Sequence, residues 1–103
     1  MAKYDSEFYQ HFRDLSYSSA REVVPFILRL MPVTSVCDVG CGDGTWLRVF
    51  RDEGVTDVLG IDGEYVTGDL LQIPMANFRP MDLRQEVRLQ RSFDLVILSL
   101  IHI

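Results

Sequence analysis

The chain is expected to fold as an α/β domain around a mostly parallel sheet. Three observations point there. Short apolar runs at residues 35–39 and 57–61 stop at glycine or aspartate, as buried strands do. A stretch of helical period, residues 45–53, lies between them. Two further apolar stretches follow, around residues 78–81 and at Phe93-Asp-Leu-Val-Ile97. Strand, helix, strand, connection, strand and strand is the order of a sheet with right-handed crossovers.

Each element has its own signal. Tyr4, Phe8, Phe12 and Leu15 recur at near-helical spacing and predict a short amphipathic helix lying on a larger body. Ser19-Ala-Arg-Glu22 fits a capping box, and Val23, Ile27, Leu30 and Met31 continue an apolar face until Pro32 ends it. Pro25 lies past the first turn of a helix capped at Ser19, where it should kink that helix or shift its start. Residues 1–34 therefore form an N-terminal helical segment, followed by the sheet-forming unit at 35–97. In the 45–53 helix Trp46, Leu47 and Phe50 face inward, and Gly54 stands where a left-handed residue terminates a helix. Pro80 cannot donate to a ladder, so the third strand belongs at an edge.

Composition narrows the function. The 103 residues carry a net charge of −5, and the ten basic residues are scattered, so neither nucleic acid nor an anionic membrane surface is an expected partner. The first twelve residues lack the apolar run of a secretory signal, and residues 95–103 are too few to span a bilayer, which makes the cytoplasm the expected location. His11 is a lone histidine, expected to be solvated. Cys37 and Cys41 have no second pair and no nearby histidine, so no metal site is expected; both read as small buried residues.

The chemistry is concentrated in Val36-Cys-Asp-Val-Gly-Cys-Gly-Asp-Gly44, directly after a strand and directly before a helix. Glycines there allow sharp turns and let a ligand approach the main chain with no Cβ in the way. A dinucleotide fingerprint, Gly-x-Gly-x-x-Gly, would need glycine at position 45, which is Thr45. The third glycine comes one residue early, and Asp38 stands two before the first.

This array resembles motif I of the class I S-adenosylmethionine (SAM) dependent methyltransferases, and three later features extend the likeness across about residues 35–97. Asp62 ends the second strand, Asp82-Leu83 follows the third, and Phe93-Asp-Leu-Val-Ile97 resembles the family's fourth strand. Residues 1–34 are similar, more loosely, to the leading helices of bacterial small-molecule members. The resemblance implies a Rossmann-like sheet of order 3-2-1-4, broken off after the fourth strand, with SAM as cofactor. It places cofactor contacts at Asp38, Gly40, Cys41, Gly42, Gly44, Asp62, Gly63, Asp82 and Leu83. Asp62 would accept hydrogen bonds from the ribose hydroxyls and Asp82 would face the adenine amine, Leu83 adding backbone or apolar contact. Bland readings stand beside these: Asp38 braces the glycine loop, Asp62 ends a strand in a turn, and Asp82 caps a helix.

The implied reaction is methyl transfer to an O, N or C nucleophile of a small-molecule or glycan-type acceptor. No residue is nominated as catalytic base, which is expected beyond residue 103, as is the substrate half; the 103-residue piece alone is expected to be inactive. Two alternatives remain open, a noncatalytic SAM- or nucleotide-binding module and a nicotinamide-dependent oxidoreductase. Two readings also stand for Leu98-Ser-Leu-Ile-His-Ile103. These six residues resemble the in-frame translation of a transposon-end sequencing adapter and so form a non-native tail, or they are a genuine strand end.

Overall fold

The computed structural model describes residues 6–63, 66 and 68–99. Tyr4, the side chains of Phe8 and Phe12, and residues 100–103 of the tail lie outside the described residues.

A single helix, α1 (Ser6–Leu30), replaces the two helical pieces that the sequence suggested. Ser19 and Glu22 sit exposed in mid-helix, so the capping-box pattern marks no boundary. Pro25 lies inside the helix, where it removes the bond its own N–H would make to the carbonyl of Arg21. Arg21 is exposed, so water can reach that carbonyl. The face formed by Ala20, Val24, Ile27 and Leu28 runs unbroken past the proline and packs into the core, which offsets the cost.

The sheet consists of β1 (Ser35–Val39), β2 (Asp57–Asp62), β3 (Phe78–Pro80) and β4 (Leu95–Leu98). All pairings are parallel, in the order β3-β2-β1-β4 that the family resemblance implies. Pro80 is on an edge strand, as its missing donor requires. Leu98 continues the ladder opposite Val39. On the outer side of β4, Val96 and Leu98 remain 55% and 68% exposed.

Helix α2 (Thr45–Asp52) joins β1 to β2 and buries Leu47, Val49 and Phe50. It packs against α1, and the two helices share one apolar cluster with Val36 and Val58 of the sheet and Ile73 of the loop after β2. Trp46 is half-buried on the rim of that cluster. A Schellman motif closes α2: Gly54 N–H donates to the Arg51 carbonyl at 3.0 Å and Val55 N–H to the Phe50 carbonyl at 2.9 Å. Gly54 has φ 103°, and a Cβ there would meet nothing within 4 Å. Gly54→Ala is therefore a purely conformational change, expected to cost about 1–2 kcal/mol in urea unfolding. A loss below 0.3 kcal/mol would show that the left-handed turn does not terminate this helix.

Between β2 and β3 a 3-10 turn (Met75–Asn77) is tied down by Asn77, whose amide donates to the Val58 carbonyl at 2.8 Å. The segment leading to β4 is anchored by Arg91, which donates to both carboxylate oxygens of Asp57 at 2.9 and 2.7 Å. Among the described residues no helix is long and apolar enough to cross a membrane.

Candidate functional site

β1 and β2 end side by side, with Val39 opposite Ile61, and the glycine loop turns over their C-terminal edge. Gly40, Gly42 and Gly44 have φ of 80°, 59° and 87°, a run of left-handed residues that side chains with a Cβ rarely adopt. Gly40 and Cys41 both donate N–H to the Ile61 carbonyl, at 2.7 and 3.1 Å. Gly44 N–H donates to the Cys41 carbonyl at 3.0 Å, so the loop folds back on itself before α2 begins.

Asp62, only 1% exposed, is the brace of this loop. Its carboxylate accepts the Gly42 N–H and the Gly63 N–H, each at 2.7 Å. Bracing is the role the bland reading gave to Asp38, and it belongs instead to the acid at the end of the neighbouring strand. Asp38 is fully buried and turned toward β4, where it accepts the Ser99 hydroxyl and, at 3.2 Å, the Ser99 N–H. Burial pushes the Asp38 carboxyl up to about 7; the Ser99 bonds pull it down in part, and the Asp62 carboxylate raises it further.

The two thiols are free and buried. Burial pushes Cys37 up to about 11, with the neighbouring Asp38 adding to the rise, and pushes Cys41 higher still, helped by Asp38, Asp62 and Asp43. Neither thiol is a nucleophile near neutral pH.

The structure thus gathers Asp38, Gly40, Cys41, Gly42, Gly44, Asp62 and Gly63 at one end of two adjacent strands. Asp82 and Leu83 are placed differently. Met81 N–H bonds the Asp62 carbonyl at 2.8 Å, which brings the chain to the same sheet edge. The Asp82 carboxylate, however, is exposed and accepts the backbone N–H and the guanidinium of Arg84, contacts that hold its pKa below the usual carboxylate value. It caps no helix; the residues after it form a turn in which Leu83 is half-buried. His11 is exposed.

Sequence reasoning missed Asp43. Its Oδ1 accepts the Thr45 N–H at 3.1 Å and the Thr45 hydroxyl at 2.6 Å, capping α2 from two residues before its start. Its Oδ2 accepts Arg13 Nε of α1 at 2.7 Å and Gln72 Nε2 at 3.1 Å. An Asp-Gly-Thr sequence ahead of a helical period was a legible capping signal; the partners at residues 13 and 72 were not.

A parallel sheet of order 3-2-1-4, with a left-handed glycine loop between its first strand and first helix and an acid closing its second strand, defines a Rossmann-like α/β domain. Residues 9–101 match the family profile of a methyltransferase domain, and the chain belongs to that family. Its function is accordingly of the methyltransferase type. Comparison with curated proteins and with solved structures gives no significant match.

Proposed function

We propose that this domain binds S-adenosylmethionine over the glycine loop and serves transfer of its methyl group to an O, N or C nucleophile of a small-molecule or glycan-type acceptor. One observation carries the reading: the loop is flanked by two buried carboxylates, Asp38 and Asp62, while five of its backbone donors are already engaged. The amides of Gly40, Cys41, Gly42, Gly44 and Thr45 all donate to acceptors within the protein. A pyrophosphate would need those donors and would itself bring negative charge toward two buried acids, raising the cost of ionising either. A cationic ligand that carries a sulfonium and an ammonium finds favourable potential there, and left-handed glycines let it lie close to the main chain.

When bound, the cofactor supplies an already activated methyl on a positively charged sulfur. Gly40, Cys41, Gly42 and Gly44 would hold its amino-acid portion by close backbone approach, and Asp38 would offer negative charge to its ammonium. Asp62, with Gly63 beside it, would accept from the ribose hydroxyls; Asp82 and Leu83 are the adenine-side residues, reached once Asp82 leaves Arg84. The protein's work is then to align donor and acceptor and to keep water away. A cytoplasmic setting suits such a reaction.

Calorimetric titration tests the assignment. S-adenosylhomocysteine should bind and NADH should not; the reverse result would select a nicotinamide enzyme. Asp62→Ala should weaken S-adenosylhomocysteine binding by about 1–3 kcal/mol, the loss of a charged acceptor. Equal affinity in that variant would remove Asp62 from the site.

A further inference from the structure

We propose that Arg13 of α1 is a positioning residue for the glycine loop, acting through Asp43; this rests on the cofactor reading above. Asp43 is the one residue with a side chain between Gly42 and Gly44, two left-handed positions with no steric preference of their own. Whatever fixes Asp43 fixes the direction in which the loop presents its backbone. On one side the loop is held by Asp62, through Gly42. On the other it is held through Asp43, by the side-chain carboxylate and by the carbonyl, which accepts the Gln72 N–H.

That second attachment is a closed ring of contacts. Arg13 Nε donates to Asp43 at 2.7 Å. Gln72 joins the same carboxylate at 3.1 Å and the Thr45 hydroxyl at 2.7 Å, and its own N–H donates to the Asp43 carbonyl at 2.7 Å. Arg48 of α2 donates to the Gln72 side-chain oxygen at 2.7 Å. The Arg48 guanidinium lies 4.8 Å from the centre of the Tyr17 ring, which returns the ring of contacts to α1 one turn after Arg13. The Arg13–Asp43 pair is partly withdrawn from water, with side chains 32% and 18% exposed, so it is less screened than a surface pair. α1 is thereby more than a packing helix. It straps the loop, the β2–β3 connection and α2 into one geometry, and Arg13 supplies the only charge that meets Asp43 in that ring.

The test uses the full chain with S-adenosylhomocysteine as probe. Arg13→Gln should weaken binding roughly threefold to tenfold, as for a partly exposed charge-assisted bond. Arg13→Lys should restore most of the loss, and Arg29→Gln, whose guanidinium stands over Phe26 on the same helix, should bind like wild type. In ligand-free protein, amide exchange at Gly42, Gly44 and Thr45 should quicken in Arg13→Gln while β1 and β2 exchange as before. Combining Arg13→Gln with Asp43→Asn should cost less than the two changes separately. Wild-type affinity together with wild-type loop exchange in Arg13→Gln would overturn the proposal, as would strict additivity with Asp43→Asn. If the wild-type chain bound no S-adenosylhomocysteine while loop exchange still responded to Arg13→Gln, the cofactor assignment would fall and the strap would stand.

Discussion

Gly60→Ala should lower the stability of this domain by about 1–3 kcal/mol, and Gly60→Val should leave it largely unfolded at room temperature. Gly60 lies in β2 with its missing side chain aimed at the core. A Cβ built there meets Cys41 Sγ at 2.7 Å, Leu47 Cδ1 at 3.1 Å and Ile73 Cδ1 at 3.2 Å. All three neighbours are themselves buried, so none can swing into solvent. Alanine forces shifts of a few tenths of an ångström at several atoms. Valine adds two further carbons in the same direction, a strain comparable with the total stability of about 5–15 kcal/mol usual for a domain. The nearest obstacle is a sulfur, and that supplies the check: Cys41→Ala in the Gly60→Ala background should recover part of the loss, because the new methyl occupies the space the thiol vacates. Urea denaturation of the two single variants and the double variant decides it. A Gly60→Ala protein within 0.5 kcal/mol of wild type, or a double variant no better than the sum of its parts, would mean that β2 and the glycine loop are not in such close contact.

This contact is also where sequence reading reached its limit. The glycines at 40, 42 and 44 were legible because their spacing, between a strand and a helix, answers a purely local demand for left-handed backbone. The parallel direction was legible from the alternation of strands and connections, and the edge place of β3 from Pro80, while the full order followed from the family resemblance. Gly60 carried no signal: its requirement comes from side chains at 41, 47 and 73, brought together only by folding. Asp62 was found by position, yet its hold on the Gly42 N–H depends on the register of β1 against β2. The same holds for Arg13 and Asp43, thirty residues apart, whose meeting depends on how α1 lies on α2. The break expected near Ser19 and Pro25 failed for the converse reason. Capping-box residues and proline report local preference, and a continuous buried face at Ala20, Val24, Ile27 and Leu28 outweighs both.

Asp38 gives the domain a stability that falls as the solution becomes less acidic. In the folded state its carboxyl is pushed up to about 7, chiefly by burial, against 3.8 when exposed. A raised carboxyl pKa means that the native state holds a proton which the unfolded chain has released. The contribution is whole below pH 4, declines between about pH 4 and pH 7, and is gone above that. At 1.36 kcal/mol per pKa unit the difference is on the order of 4 kcal/mol. Asp38→Asn has nearly the same shape and no charge to bury, so its stability should be flat across that interval and should exceed that of wild type at pH 8 by an amount of that order. An amide would carry no such cost, but neither could it offer a charge for use toward a ligand. Under the proposed function that use is to meet a cationic ligand, whose approach draws the Asp38 pKa back down and expels the proton. Titration with S-adenosylmethionine at pH 6.5, in two buffers of different ionisation enthalpy, should therefore reveal net proton release by wild type and none by Asp38→Asn. Identical heats in the two buffers for wild type would mean that Asp38 carries no charge toward the ligand and serves only to join β1 to the end of β4.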